Sequence, residues 1–181
     1  MQFFDTPGTE FKLYEEWKQK RLNWHWALGL GQENYKFHDH EKLAHYANAA
    51  ADIEFKFPFG FKELEGIHSR TDFDLSAHEK FSGRKLQYFD PERNENYVPY
   101  VVETSIGLDR MFLALFSNCL KDEVLEDGSE RTVLSLPPAL APVKAAILPL
   151  VKKDGLPEFA EKIFNDLKYD FNVISEEKDS I

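Results

Sequence analysis

One short stretch, residues 103–110, carries side-chain types and spacing that could bind a ligand with an anionic group. Glu103 and Ser105 alternate along a predicted strand, so they point to the same face. Arg110 follows in the first turn of a predicted helix, where a cation gains nothing from the helix dipole. A guanidinium there favours an anion, and its fork matches phosphate oxygens. The alternative is a strand–helix corner in which Asp109 and Arg110 are solvated or pair with each other.

The residues around this stretch predict a strand, a tight turn and an amphipathic helix. Val101 and Val102 lead in as a β-branched strand, and Gly107 gives a turn at which a ligand or helix can approach the backbone. Apolar residues then recur with helical spacing at positions 108, 111, 112, 115, 116 and 119. Cys119 is the single cysteine, which excludes an internal disulfide, and its place in this series predicts an inert buried thiol.

The composition describes a folded, acidic chain of 181 residues. With 43% hydrophobic and 14% aromatic residues the chain can bury a core, which excludes global disorder. The net charge of −10 argues against a general nucleic-acid surface, because such surfaces neutralise phosphates with clustered Lys and Arg. The sequence contains no run of about 18 apolar residues and no signal peptide, so it predicts a soluble, cytoplasmic protein with no membrane partner.

The remaining patterns predict a sheet followed by a second, smaller unit. Alternation over residues 53–59 and 61–67 predicts an antiparallel hairpin, and an aromatic-rich helix is predicted from Glu10 to about Trp26. From Val143 a continuous apolar strand to Leu150, a helix starting at Leu156 and a further strand predict a β-α-β unit with parallel strands. A unit of this size cannot bury both faces of its sheet by itself.

Several charged residues upstream are candidates for a role beside a phosphate. Glu63 and Glu65 are two positions apart, so they are predicted to share a strand face, exposed to solvent or holding Mg²⁺ next to substrate phosphates. Arg70 is predicted to pair structurally with Asp72.

Three histidines, His38, His40 and His45, raise the question of a metal site. His38 and His40 have no cysteine partner and lie in a polar stretch, which favours solvated side chains over a dedicated metal site. No role for His45 follows from its surroundings.

The sequence Glu-Thr-Ser-Ile-Gly-Leu-Asp-Arg at 103–110 closely resembles motif 3 of class II aminoacyl-tRNA synthetases, in the form carried by glycyl-tRNA synthetases of the homodimeric type. Similar segments lie upstream at 44–47 (Ala-His-Tyr-Ala), 63–67 (Glu-Leu-Glu-Gly-Ile) and 70–75 (Arg-Thr-Asp-Phe-Asp-Leu), and downstream at 140–144 (Leu-Ala-Pro-Val-Lys). The resemblance covers nearly the whole chain in the family's order.

The resemblance implies an α+β fold in two parts. Residues 1–138 are expected to form the C-terminal part of a class II catalytic domain, with its antiparallel sheet and helices. Residues 139–181 are expected to be the truncated start of an α/β anticodon-binding domain. Segments matching motifs 1 and 2 are not in the sequence, so we expect an internal fragment that begins just after motif 2.

The implied activity is that of a glycine–tRNA ligase, which uses ATP to convert glycine to glycyl-adenylate and transfers the glycyl group to the 3′ end of tRNA(Gly). The implied partners are glycine, ATP with Mg²⁺ and tRNA(Gly), and the full-length enzyme is expected to be a homodimer. The isolated fragment is expected to be inactive.

The resemblance also assigns site residues. Arg110 matches the motif 3 arginine that grips ATP phosphate and is the expected catalytic residue. The expected glycine-binding residues are Glu103, Thr104, Ser105, Ile106 and Gly107. The expected ATP-binding residues are Glu63, Leu64, Gly107, Leu108, Asp109 and Arg110. No dedicated metal site is expected, although Mg²⁺ bound with ATP would lie at Glu63.

Two other functions compete with this one. A class II synthetase of the threonyl or prolyl type would share motif 3 and a similar second domain, but threonyl enzymes use Cys and His zinc ligands that are missing here. A non-catalytic, synthetase-like module that binds a partner or nucleotide is favoured by the missing motif 2. A reading frame extending upstream through motifs 1 and 2 would separate the fragment from the module.

Overall fold

The computed structural model describes residues 1–176, which fall into two compact units, one of Met1–Ser135 and one from Leu136 onward. The strands of the first unit are β1 (Gln2–Asp5), β2 (Tyr35–Asp39), β3 (Ala49–Phe57), β4 (Gly60–Ser69), β5 (Tyr88–Asp90), β6 (Glu95–Tyr97), β7 (Tyr100–Ile106), β8 (Leu120–Val124) and β9 (Glu130–Leu134). Its helices are α1 (Glu10–Ala27), α2 (Phe73–Ser82) and α3 (Leu108–Cys119), with a 3-10 turn at Gln32–Asn34.

Five strands form one sheet in the order β1-β7-β4-β3-β2, and every neighbouring pair in it is antiparallel. The predicted hairpin is β3–β4; its open end extends further than the alternating residues indicated, to Ala49 and Ser69, whereas β3 already ends at Phe57. The predicted antiparallel sheet is therefore confirmed. It sets β4 beside β7, and this pairing brings residues 65–68 next to residues 103–106.

One face of the sheet is the core, and α1 packs against β4, β7 and β3. Ala51, Ile53 and Phe55 alternate along β3 and are fully buried. Among the aromatic residues of α1, Tyr14 is buried, whereas Phe11 and Trp24 are exposed. The residues that α1 buries are Glu10, Tyr14, Lys18, Arg21, Leu22 and His25.

The opposite face of the sheet is largely polar. Strand alternation and the observed register place there a set of side chains that we call the polar face: Gln2, Phe4, Asp52, Glu54, Glu63, Gly66, His68, Glu103 and Ser105. Phe3 is consistent with this assignment. It lies between Gln2 and Phe4 and points to the core face, where it stacks on Trp17 of α1 with 3.7 Å between ring centroids.

The helix after Gly107 is confirmed as α3, but its apolar series is not fully buried. Leu108 is 83% exposed and Phe112 64% exposed, whereas Ala114 and Cys119 are buried. Burial raises the pKa of the Cys119 thiol, as an inert cysteine requires. Gly107 has φ −89° and ψ 125°, an extended conformation that any residue adopts, so the turn does not depend on glycine.

Two small hairpins, β5–β6 and β8–β9, complete the first unit. The polar residues at 81–96 predict an exposed connection or a short hairpin, and β5–β6 lies within them. The sequence also predicts a strand over residues 132–136; the observed strand is β9 (Glu130–Leu134), which pairs with β8.

The second unit contains β10 (Ala145–Ile147), α4 (Leu156–Leu167) and β11 (Val173–Ser175). The two strands are parallel, which confirms the predicted β-α-β arrangement. The first strand is shorter than predicted, because Pro149 has no N–H group to donate to a neighbouring strand. Among the described residues, no helix is long and apolar enough to cross a membrane.

Candidate functional site

An open cleft of about 470 Å³ lies where β7 runs into α3, beside β4. Its lining residues are Glu63, Leu64, Ser105, Ile106, Gly107, Leu108, Asp109 and Arg110. The structure thus brings together all the residues expected to bind ATP, along with Ser105, Ile106 and Gly107 from the group expected to bind glycine.

Arg110 is paired across the cleft with Glu63. Its Nη1 lies 3.0 Å from Glu63 Oε2 and also donates to the Glu63 backbone oxygen at 3.0 Å. The alternative in which Arg110 pairs with Asp109 is therefore wrong. Both partners are about half exposed, and an ion pair this accessible contributes little stability. Breaking the contact with Glu63 would therefore cost little free energy, which leaves the guanidinium able to bind another anion such as a phosphate.

Glu103 lies on the same face as Ser105, two residues before it on β7. Its carboxylate accepts hydrogen bonds from Gln2 Nε2 at 2.8 Å and from Arg70 Nη1 at 3.3 Å. With a side chain 20% exposed, it is accessible from the polar face and is held in place by two donors. Thr104, between these two residues, points to the buried face, so its side chain is separated from the rest of the expected glycine group.

The predicted pair between Arg70 and Asp72 is wrong. Arg70 Nε donates to Asp74 at 2.8 Å, and the guanidinium stacks over Tyr46 at 4.3 Å. Asp72 instead accepts a 2.6 Å hydrogen bond from Ser76 at the start of α2. The i, i+4 spacing within α2 explains the Asp72–Ser76 contact, whereas Arg70 precedes the helix and turns toward Glu103.

Glu63 and Glu65 do not share a face, contrary to the alternation argument. Ile53 pairs with Glu65 and Glu54 pairs with Glu63, which leaves Leu64 as an extra residue in β4. This β-bulge reverses the alternation, so Glu63 points into the cleft and Glu65 into the core. A single extra residue thereby places Glu63 in the cleft beside Arg110 and Glu65 in the core.

Glu65 is fully buried in a charged cluster that sequence reasoning missed. Arg21 Nε lies 2.6 Å from Glu65 Oε1, Arg21 Nη2 lies 3.1 Å from Oε2, and His25 Nε2 lies 2.8 Å from Oε2. Arg21 and His25 are i, i+4 neighbours on α1 and therefore share one helix face. The sequence signal for this cluster was the spacing of Arg21 and His25 together with Glu65, a single acidic residue within the apolar run Leu64–Ile67.

This cluster predicts an acid-sensitive contribution to stability. Burial by itself would raise the pKa of Glu65, but the hydrogen bonds from His25 and Arg21 outweigh it and hold the pKa below its ordinary value of 4.5. A carboxyl with a depressed folded-state pKa stabilises the fold above the unfolded pKa, and this stabilisation is lost as the pH falls through the folded value.

We expect the difference in unfolding free energy between the native chain and Glu65→Gln to be largest near neutral pH and to shrink below about pH 4.5. Urea unfolding followed by circular dichroism over a pH series measures it. A difference that stayed constant down to the lowest pH would show that Glu65 acts through packing and not through its charge.

His38 and His40 each contact a carboxylate of the polar face. His38 Nδ1 lies 3.1 Å from Glu54, and His40 Nε2 lies 2.8 Å from Asp52. His68 lies beside Gly66, and burial lowers the pKa of its imidazole. Within residues 1–176, no cluster of three or more His, Cys, Asp or Glu side chains has the geometry to hold a metal ion.

His45, for which the sequence suggested no role, belongs to an aromatic group beside Arg70. Its ring makes edge contacts with Phe73 at 5.0 Å and Tyr46 at 5.4 Å.

Comparison with known proteins finds relatives that match the whole chain. No protein-family model matches the chain. The glycine–tRNA ligases of Chlorobaculum tepidum, Borrelia hermsii and Macrococcus caseolyticus are 50%, 48% and 50% identical to it over 182, 186 and 183 residues, in each case along the whole chain. The chain is therefore similar, along its whole length, to part of the glycine–tRNA ligases. It spans 38%, 42% and 39% of the length of these three relatives.

Among solved structures, the chain is similar to the prolyl-tRNA synthetase of Giardia lamblia, which was determined with prolyl-adenylate. The TM-score is 0.59 with 16% sequence identity, over 98% of this chain and 35% of the synthetase. At that identity the likeness describes the fold, which is that of a class II synthetase. The homology at about 50% identity separates the chain from the prolyl and threonyl types.

Proposed function

We propose that the chain is part of an ATP-dependent glycine–tRNA ligase, which activates glycine as glycyl-adenylate and transfers the glycyl group to tRNA(Gly) in the cytoplasm. The observation that carries the proposal is the cleft of Glu63 and Arg110, with Glu103 and Ser105 on the adjoining strand. The full-length homodimer and the tRNA belong to the proposal, since the chain spans about two fifths of its relatives.

In the proposed reaction, the cleft holds the ATP phosphates and the adjoining part of β7 holds glycine. Glu103 and Ser105 bind the ammonium group of glycine, because a carboxylate and a hydroxyl are good acceptors for its N–H donors. Arg110 leaves Glu63 and binds an ATP phosphate. The glycine carboxylate attacks the α-phosphorus, the bond to the β-phosphate oxygen breaks, and pyrophosphate leaves, so no protein nucleophile is needed.

Glu63 fits a role in holding Mg²⁺ when ATP is bound. It is a half-exposed carboxylate at the cleft, and Mg²⁺ is typically bound by one or two carboxylates together with substrate phosphates. Bound there, the ion would neutralise phosphate charge. We further propose that residues 1–138 are the C-terminal part of the catalytic domain and that residues 139–181 begin the anticodon-binding domain.

A binding experiment tests the glycine part of the proposal. Glu103→Gln is expected to weaken binding of a non-hydrolysable glycyl-adenylate analogue, glycyl-sulfamoyl-adenosine, at least about tenfold, because a charge-assisted hydrogen bond is lost. Calorimetric titration of the 181-residue chain measures the change.

Glu126→Gln, which alters an exposed loop carboxylate, is the control and is expected to bind as the native chain does. Equal affinity of Glu103→Gln and the control would contradict the assignment. ATP binding that glycine does not influence, with no affinity for the analogue, would favour the non-catalytic module.

A further inference from the structure

The space above Gly66, on the polar face of β4, is filled by the imidazole of His68. A Cβ atom added to Gly66 would lie 2.8 Å from His68 Cε1 and 3.4 Å from His68 Nδ1. A separation of 2.8 Å is too short for a Cβ atom, so only glycine at this position leaves room for the ring. The His68 side chain therefore leans along β4 and covers Gly66.

This ring borders the two residues that are proposed to bind the ammonium group of glycine. In the register of β4 and β7, His68 is paired with Glu103, and Gly66 is paired with Ser105. Directly opposed residues whose side chains share a face have Cβ atoms about 5 Å apart. The imidazole thus lies beside Glu103 and extends toward Ser105 from the β4 side.

The area that the ring covers lies between the two parts of the proposed substrate site. Along β4, Glu63 in the cleft comes before Gly66, and His68 comes after it. Glycine bound at Glu103 must bring its carboxylate to a phosphate near Arg110, so its Cα lies over this part of β4 and β7. A substituent on Cα that turns toward β4 meets the imidazole.

Neighbouring groups hold the ring in this position. The His40 ring meets the His68 ring edge to face with 6.0 Å between centroids, and His40 Nε2 is fixed 2.8 Å from Asp52 Oδ2. Burial lowers the pKa of His68, although the nearby carboxylates of Asp52 and Glu103 act in the opposite direction, so the ring is neutral at pH 7. The imidazole therefore occupies space beside Glu103 without neutralising its carboxylate.

We propose that His68 is the wall of the glycine site on the β4 side and makes this site specific for an amino acid without a side chain, an inference that rests on the function proposed above. Contacts of Glu103 and Ser105 with an ammonium group are the same for glycine and alanine, so they do not distinguish the two. A methyl group on Cα that points toward β4 overlaps the imidazole. A difference of one methyl group in a filled pocket is typically discriminated about 10- to 200-fold.

The test compares three non-hydrolysable analogues, glycyl-, L-alanyl- and D-alanyl-sulfamoyl-adenosine, by calorimetric titration of the 181-residue chain. The native chain is expected to bind the glycyl analogue at least about tenfold more tightly than either alanyl analogue. His68→Ala is expected to raise the affinity for one alanyl enantiomer about tenfold and to keep the glycyl affinity within about twofold, because the wall lies on one side of Cα.

Two further variants separate the volume of the ring from other effects. His68→Phe keeps a ring over Gly66 and is expected to discriminate as the native chain does, because His68 Nδ1 has no hydrogen-bond partner within residues 1–176 that the substitution would remove. His38→Ala is the matched control and is expected to be neutral, since it removes a polar-face histidine that is 56% exposed on the edge strand β2. Circular dichroism verifies that each variant is folded.

The inference is overturned if the native chain binds an alanyl analogue as tightly as the glycyl analogue, if His68→Ala keeps the native preference, or if His68→Phe loses it. An equal change for both alanyl enantiomers, or the same effect from His38→Ala, would show a general loosening of the polar face and would also overturn it. If the glycyl analogue binds and any of these results is found, the wall is rejected while the proposed function stands. If no analogue binds the native chain, both are rejected.

Discussion

Replacing Glu65 by alanine is expected to lower the unfolding free energy of the chain by about 3–5 kcal/mol, the largest stability effect anticipated for a single substitution. Glu65 is fully buried between Arg21 and His25, so its removal leaves a buried guanidinium without its counter-ion. Since the total stability of a domain is about 5–15 kcal/mol, the loss would bring the chain close to unfolding. Urea unfolding monitored by circular dichroism measures it.

Glu63→Ala is the matched control for that experiment. It removes the same side chain two positions away on the same strand, but from the exposed side of the bulge, and is expected to change stability by no more than about 0.5 kcal/mol. If Glu65→Ala does not fold, the double variant Arg21→Met with Glu65→Met is informative, because replacing both charges together removes the unpaired ion. Equal effects of Glu65→Ala and Glu63→Ala would contradict the role given to the cluster.

The 181-residue chain is expected to show no glycine-dependent ATP–pyrophosphate exchange. Any residual rate is expected to lie at least about 10²–10³-fold below the rate of a full-length relative such as the Chlorobaculum tepidum enzyme. Arg110 is the one cation among the residues that line the cleft, where Glu63 and Asp109 add negative charge. The negative charge that develops on the α-phosphate would then lack preorganised neutralisation. Exchange of labelled pyrophosphate into ATP, with and without glycine, measures the activity.

Arg110→Ala, made in both the chain and the full-length relative, provides the comparison for this prediction. In the relative it is expected to lower exchange by about 10²–10³, and in the chain to remove residual ATP binding. Robust exchange by the native chain would contradict the prediction and show that this cleft supplies more neutralisation than its one arginine accounts for.

The sequence by itself predicted those features that depend on local pattern. The period-two runs at 53–67, the strand–turn–helix at 101–119 and the parallel strands of the second unit were all predictable, because side-chain periodicity reports directly which face of an element is buried. The cleft residues were predictable from resemblance to a family. Ser105 to Arg110 lie in the segment that resembles motif 3, and Glu63 and Leu64 lie in a second segment that resembles the same family.

Only the tertiary structure decided which charges meet. The bulge at Leu64 depends on how β4 pairs with β3, and it alone sends Glu63 to Arg110 while Glu65 turns to Arg21 and His25. Arg70 contacts Asp74 and Glu103 and not Asp72. The partners of a long side chain depend on which groups lie near it in space, and distance along the sequence does not give that. One extra residue in a strand reverses the direction of every side chain beyond it, so alternation cannot be extended through a strand whose pairing is unknown.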